Sequence, residues 1–541
     1  MCGICGILGQ PSEIMTKSMT QAMERRGHDG EGFYLDSFIS VGVRRLQITG
    51  PLENDQPIWN EDHTICIVFN GEIYNFRELR INLESNGHVF RSSSDTEVIL
   101  HLYEDLGEDC VQYLKGMFAF AIWDGEKLFL ARDRMGIKPL FYASVNDNQQ
   151  LIFASEIKAL LAHPDVSHAR HEPSWHELSV FGYVLSESDT LIENIKQVRP
   201  GSEITATLHD GSIRIEECIY AQKCPDQETG IIRQETSIGS SVDRFENALR
   251  ESCQRIMNQD DRPKGLYLSG GIDSSLISVL CHEESSIPIH TFTLGDSLEN
   301  DDVRYARQVA TAIGSIHHEI IVCKDECERE YPTFLQACET APSEGTFDMH
   351  GDFCFFLLSK YVSKHVKVAI CGEGADELTG GYWMHKWPLG YVDSLRERLG
   401  RMGKKDVTMI EKELEQWFAQ PEDVDRYRQG VFDLLLGTGL SNYHLWAVDR
   451  ASMWHGLEVR VPYLYDPVVE VARSLPMEHK ATRHTSKIVS RKLANKIFEP
   501  YGLLHIIDRE KKAMPNAIEH LKLDQLDIYR ESSLLAQTRQ G

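Results

Sequence analysis

Residues 266–279, Leu-Tyr-Leu-Ser-Gly-Gly-Ile-Asp-Ser-Ser-Leu-Ile-Ser-Val, constrain the fold of this chain more than any other stretch. A short apolar run ends in a glycine pair, after which apolar residues resume at helical spacing. This pattern predicts a strand, a tight loop and a helix. Gly270 and Gly271 let the backbone turn at positive φ and approach a ligand closely. Ser274 and Ser275 fall where the first helical turn offers unpaired N–H groups to an anion. The loop therefore suits phosphate, although it has neither the Gly-x-x-x-x-Gly-Lys-Ser/Thr nor the Gly-x-Gly-x-x-Gly pattern. An ordinary strand-to-helix turn has the same spacing, so spacing alone leaves both readings open.

The chain beyond this loop repeats the strand and helix theme. Residues 289–295 read as a second strand. Residues 301–314 carry Val303, Ala306, Val309, Ala310 and Ile313 at helical spacing. A third strand, 367–371, runs into Gly372-Glu373-Gly374-Ala375-Asp376-Glu377, followed by Gly380-Gly381. Such alternation implies a parallel sheet with ligands at the carboxyl ends of its strands, which puts both glycine-rich loops at one edge. Three carboxylates beside a phosphate loop suit magnesium or a substrate amine, the alternative being an exposed acidic turn. In 449–462 charges fall among apolar residues, as in the wall of a site, with His455 read as structural. Arg509, Lys511 and Lys512 would bring cations to a polyphosphate site.

With 541 residues the chain is too long for one core, so two domains with an appended element are expected. A formal charge of −26 argues against nucleic acid or an anionic membrane as the main partner and favours small substrates. The start, Met-Cys-Gly-Ile-Cys, has no basic segment followed by an apolar run, and no apolar stretch is long enough to span a bilayer; a cytoplasmic protein is expected. The 13 cysteines are scattered, and Cys2 and Cys5 have no matching metal-ligand pair, so reduced thiols are expected.

Cys2 would become the N-terminus if the initiator methionine were removed. An α-amino group, with an ordinary pKa of about 7.7–8.0, would then stand beside a thiol that it could deprotonate. A small buried residue at the start of a strand is the plainer reading of Cys2 by itself. Further on come Arg44-Arg45-Leu46-Gln47-Ile48-Thr49, Phe69-Asn70-Gly71-Glu72-Ile73 and Ser94-Asp95-Thr96-Glu97, each following or interrupting a strand-like run. Residues 116–124 and 128–134 read as two strands joined at Asp-Gly. From about 165 to 235 the pattern loosens, and the linker is placed at 201–240, between domains at 2–200 and 241–541.

Taken together, the first set of residues resembles a class II glutamine amidotransferase domain. That resemblance implies an α/β/β/α sandwich of the N-terminal nucleophile type, with Cys2 as nucleophile. Asn70 and the backbone N–H of Gly71 would form an oxyanion hole. Arg45 would bind the glutamine α-carboxylate and Asp95 its α-ammonium, with Leu46, Gln47, Ile48, Thr49 and Glu72 lining the site. Ser-Gly-Gly-Ile-Asp-Ser-Ser resembles the pyrophosphate loop of ATP pyrophosphatases, and the whole chain to about Pro515 is similar to the glutamine-dependent asparagine synthetase family. This implies a C-terminal α/β domain like the adenine nucleotide alpha hydrolases, with helical additions. Leu268, Ser269, Gly270, Gly271, Asp273, Ser274, Leu294, Cys371 and Gly372 would bind ATP. Asp273 and Asp376 would hold Mg2+. Glu373 and Lys511 would serve the acyl adenylate chemistry, with Lys487 a second lysine candidate. An acceptor with an α-ammonium and α-carboxylate needs buried charge partners, for which Glu373, Asp376 and Glu377 are the candidates on the ammonium and Arg450 or Arg460 on the carboxylate.

Cys371 stands in place of a serine of the family pattern, Ala447 in place of a lysine and Tyr465 in place of an aspartate, while 341–348 departs where the acceptor pocket should lie. The resemblance implies aspartate as the acceptor, with glutamine and ATP as the other small molecules and a homodimer as an open question. A relative that amidates or cyclises a different carboxylate is the alternative. A purely regulatory module would leave two complete residue sets idle.

Overall fold

The computed structural model describes residues 1–48, 56–222, 237–339, 349–400, 424–509 and 518. The chain divides into two compact units. The first is 1–171, 186–230 and 453–456; the second is 172–185, 231–452 and 457–541.

The first unit is built on two six-stranded sheets. Cys2–Leu8 is central in one, paired antiparallel with Ile39–Arg45 on one side and Gln150–Ala154 on the other. Cys66–Ile73 and Gly116–Trp123 pair in the other, and Gly116–Trp123 continues antiparallel to Lys127–Arg132, the hairpin expected at Asp-Gly. Strand side chains alternate between faces, so Cys2, Ile4 and Leu8 meet Cys66 and Val68 in a core between the sheets. On the opposite face of the second sheet, Ile67 and Phe69 pack with Val98 and Leu102 of helix Asp95–Leu106. Helix Glu13–Ala22 lies against the other sheet, where a Cβ on Gly42 would come within 2.6 Å of Thr20 Oγ1. The result is the expected four-layer α/β/β/α sandwich.

The second unit has a five-stranded, wholly parallel sheet in the order Ile316–Ile321, His290–Gly295, Lys264–Tyr267, Val368–Ile370, Glu458–Arg460. The loop read first in the sequence joins Lys264–Tyr267 to helix Ile272–Glu283. Helix Asp301–Ile313 buries each of the five apolar residues picked out by periodicity, and Gly314 closes it at φ +65.

Two boundaries differ from the sequence reading. The segment from 201 is no linker at its start: Ser202–His209 and Ser212–Ile219 form a hairpin that extends the second sheet along Lys127–Arg132. The hairpin turns at Asp210-Gly211, and only Ile213 is buried on its outer strand. Residues 223–236 lie outside the described residues. Helix Ile238–Met257 then begins the second unit, its N-terminus capped by Ser237 Oγ. Residues 172–185 also leave the first unit, since Val180, Phe181, Tyr183 and Leu185 share a core with Met384, Tyr391, Leu395 and Val431.

Candidate active sites

In the first unit, strand register does the assembling. Cys2 lies opposite Arg45 across the antiparallel pair. Asn70 shares its face with Cys66 and Val68 by the two-residue period, which aims its side chain into the inter-sheet layer that holds Cys2. The Cys2 N–H donates to Asn70 Oδ1 at 3.1 Å. Asn70 is wholly buried, and its Nδ2 has no hydrogen-bond partner among the described residues. An idle buried N–H donor costs roughly 1–3 kcal/mol, so it suits an acceptor supplied by substrate. Glu72, two residues on, takes the same face, and the Ile73 N–H donates to Asp95 Oδ2 at 2.9 Å, tying the first residue of helix Asp95–Leu106 to this strand. Arg45, Glu72 and Asp95 are all buried. Leu46 and Ile48 are buried and Gln47 is half-buried, its N–H donating to Asp29 Oδ2 at 2.8 Å. Thr49 lies outside the described residues.

Gly71 is fixed by the packing of its own sheet. A Cβ there would sit 2.2 Å from Met117 O and 2.7 Å from Phe118 Cα, so the neighbouring strand already requires glycine.

Two residues escaped the sequence reading. Gln56 Nε2 lies 3.7 Å from Cys2 Sγ and donates to Phe69 O at 3.1 Å, while its Oε1 accepts from Phe69 N at 2.6 Å. Arg26, fully buried, donates from Nε to the Cys2 carbonyl and from Nη1 to Glu156, both at 3.2 Å. No local pattern marks Gln56. Arg26 stands in a run, Glu24-Arg25-Arg26, that reads as a solvated surface.

In the second unit the two glycine-rich loops abut: a Cβ on Gly372 would lie 3.4 Å from Ser274 N and 3.5 Å from Asp273 C. Gly270 adopts φ +70 and could carry no side chain, because a Cβ would stand 2.5 Å from the backbone N of Ala306. The loop is braced by its own hydroxyls, with Ser269 Oγ and Ser274 Oγ 3.1 Å apart and the Gly271 N–H donating to Ser269 Oγ at 3.4 Å. Arg509 Nη1 donates to the Ser269 carbonyl at 2.6 Å, and its guanidinium pairs with Asp302 and covers the Tyr305 ring. The Leu268 N–H donates to Phe292 O at 2.8 Å, and Leu268 and Leu294 are both buried.

Lys487 is the centre of the charge. Its ammonium pairs with both Asp273 and Asp376, and a Cβ on Gly381 would collide with this group, 2.4 Å from Lys487 Cε. Burial opposes the ammonium, but the two aspartates outweigh it and hold Lys487 above the ordinary lysine range. Asp273 Oδ1 is buried with no hydrogen-bond partner among the described residues. Two convergent carboxylates with an idle oxygen fit a hard cation such as Mg2+.

Beside them Glu373 and Glu377, both singled out in the sequence, meet His444, which was not. Glu373 Oε1 is 3.1 Å from His444 Nδ1, Glu377 Oε1 is 3.4 Å from His444 Nε2, and Tyr382 Oη donates to Glu377 Oε1 at 2.7 Å. Burial alone would lower His444, yet Glu377 and Glu373 reverse this and raise it to about 9. Burial raises Glu377. His444 ends a π-helical stretch, Leu435–His444, in a segment with no charged residue to flag it.

Arg460 does not join these groups. Fully buried, it donates from Nε to Glu458 at 2.6 Å and from Nη1 to the Ile256 carbonyl at 3.2 Å, and its Nη2 is 3.2 Å from Asp260. Those partners make it an anchor of the fold. Arg450 donates from Nε to Glu339 at 2.9 Å and from Nη1 to Asp449 at 3.2 Å. The charge of both guanidiniums is thus answered by protein carboxylates, unlike that of a ready acceptor site. The Cys371 N–H donates to Arg460 O at 3.0 Å, Ala447 is buried, and Tyr465 reaches Glu251 at 3.3 Å. Residues 341–348, Lys511 and Lys512 lie outside the described residues.

Comparison with known proteins follows the same division. A glutamine amidotransferase domain model matches residues 1–217 and an asparagine synthase model residues 244–539. Asparagine synthetase [glutamine-hydrolyzing] 1 of Bacillus subtilis is 31% identical, over 96% of this chain and 88% of its own. The enzyme numbered 2 from that organism is 30% identical over 93% and 70%, and the one numbered 3 is 28% identical over 95% and 87%.

Proposed function

Because the chain belongs to the asparagine synthase family, in its glutamine-hydrolysing two-domain form, we propose that it makes asparagine from aspartate, glutamine and ATP, with AMP, diphosphate and glutamate as the other products. The observation that carries the reading is the presence in one chain of a Cys2–Asn70 pair and of an Asp273–Lys487–Asp376 cluster beside the glycine loop at 269–274.

In the first unit, the freed α-amine of Cys2 takes the thiol proton and the thiolate attacks the glutamine amide carbon. Asn70 Nδ2 donates to the oxygen that becomes negative. Ammonia leaves, and water releases glutamate from the thioester. Arg45 and Asp95 hold the glutamine α-groups, and Gln56 steadies the thiol. In the second unit, the N–H groups of the phosphate loop and Lys487 bind the polyphosphate, and the aspartate β-carboxylate attacks the α-phosphorus. Diphosphate departs, and ammonia then displaces AMP from the acyl carbon. Magnesium held by Asp273 and Asp376 would neutralise charge on the departing diphosphate. Glu373, paired with His444, is placed to take a proton from the attacking ammonia. A cytoplasmic setting and assembly as a homodimer belong to the same proposal. The many free cysteines support a reducing compartment, and no helix among the described residues is long and apolar enough to cross a membrane.

Oxygen tracing tests the adenylate directly. Aspartate carrying 18O in its β-carboxylate should deliver one labelled oxygen to each AMP formed. AMP without label would rule out attack of that carboxylate on the α-phosphorus.

A further inference from the structure

The first unit holds a second cluster of ligating side chains, far along helix Asp95–Leu106 from Asp95. One ligand atom from each of Glu61, His88, His101 and Glu104 lies within 4.8 Å of all the others. We propose that these four residues bind a divalent transition metal of the zinc class, in a site separate from the chemistry of Cys2.

The geometry is that of a prepared site. His88 and His101 face each other with ring centroids 4.6 Å apart. Both turn Nδ1 toward the same carboxylate, His101 Nδ1 lying 2.7 Å and His88 Nδ1 3.7 Å from Glu104 Oε2. Glu61 closes the set, 3.7 Å from His101 Nδ1 through one oxygen and 3.9 Å from His88 Nδ1 through the other. Three of the four, His88, Glu61 and Glu104, are also held from behind. His88 Nε2 is 3.0 Å from Asp105, the carboxylate–imidazole arrangement that orients histidines on metals, and Glu97 lies 3.7 Å from His101 Nε2, an ion-pair distance without a hydrogen bond. Glu61 Oε1 accepts from the Val89 N–H at 3.1 Å, and Glu104 Oε1 from Asn60 Nδ2 at 2.9 Å. Glu97 itself accepts from the backbone N–H groups of Arg91 and Ser92 at 2.7 and 2.8 Å.

Two imidazoles and two carboxylates make a four-ligand N/O set, which zinc takes as a closed tetrahedral site at about 2.0–2.2 Å. Imidazole ligation excludes magnesium and calcium, which prefer oxygen. The spacing explains how the chain supplies the ligands. Glu97, His101 and Glu104 fall on one face of the helix at steps of four and three. Glu61 comes from the turn after strand Ile58–Trp59, and His88 from the segment after helix Phe76–Asn86. Bound metal would therefore clasp three separate pieces of chain. The helix so clasped begins at Asp95, roughly 14 Å from Glu104 at 1.5 Å per residue.

The test uses the full-length protein stripped with chelator and titrated with Zn2+, with Co2+ as a spectroscopic substitute. The protein should take up one equivalent of Zn2+ that His88→Gln and Glu61→Gln each lose or weaken at least tenfold. Both positions are partly exposed, and the melting temperature of each metal-free variant checks that the fold is kept. Its Co2+ form should show the visible bands of four-coordinate N/O ligation without thiolate charge transfer, and Zn2+ should raise the melting temperature of the parent but not of the variants. Zinc uptake equal in parent and variants, a thiolate spectrum, or no stoichiometric uptake would each overturn the proposal.

Discussion

The two candidate sites are built on opposite principles. Around Cys2 the groups sit on paired strands, and register alone sets Cys2 opposite Arg45 and turns Asn70 to the same layer. Around Lys487 the groups sit on loops and helix ends, and charge holds them: two aspartates on one ammonium, and two glutamates on one imidazole. A sheet fixes geometry cheaply and leaves a neutral donor idle, which suits an uncharged amide. Loops that gather charge suit a polyphosphate, but each charge removed strands its partner.

Substitutions should separate the two accordingly. The largest effect is expected of Cys2→Ala, which should abolish glutamine-dependent synthesis while ammonium-dependent synthesis continues, as product assays with either nitrogen source would show. Loss of both in a folded variant would break the division. Next, Lys487→Met removes the ammonium that Asp273 and Asp376, both half-buried, share. Loss of a group that meets charge developing on the polyphosphate costs about 10²–10³ in rate, so diphosphate release should fall by roughly that factor with glutamine hydrolysis unchanged. Asn70→Ala should lower the kcat of glutamine hydrolysis by about 10², with little change in the ammonium reaction. A rise in KM alone would make Asn70 a binding group.

The smallest effect concerns His444. Its folded-state pKa of about 9 lies above the ordinary histidine value of about 6.5. The stabilisation it contributes is therefore complete below pH 6.5 and is lost progressively as pH rises to 9. Melting temperature followed over that window should fall more steeply in the parent than in His444→Gln, by a few degrees. Parallel slopes would show that His444 is not held charged by Glu373 and Glu377.

The same contrast governs what could be read from the sequence. The residues proposed around Cys2 are legible only through a family resemblance, since Asn70-Gly71 alone reads as a turn and lies instead within strand Cys66–Ile73, whereas the strand, glycine pair and helix at 266–279 are local signals. The helical spacing over 301–314 matches helix Asp301–Ile313 with Gly314 as its cap, since periodicity reports a single buried face. His444 and Lys487 were hidden or underrated because nothing near them in the chain announces partners at Glu373 or Asp273, more than seventy and two hundred residues away. Arg460 misled for the converse reason: a charge among apolar residues reads as a site wall, and Asp260 and Glu458 turn it into core. Gln56 carried no signal, being an uncharged residue whose importance lies wholly in its place beside Cys2.

The central claim is that nitrogen freed at Cys2 ends on aspartate. Supplying the protein with ATP, Mg2+, aspartate and glutamine labelled with 15N in its amide tests it in one incubation. The account predicts 15N in the side-chain amide of asparagine, one per AMP formed. Glutamate release with no aspartate-dependent AMP and no labelled asparagine would contradict it.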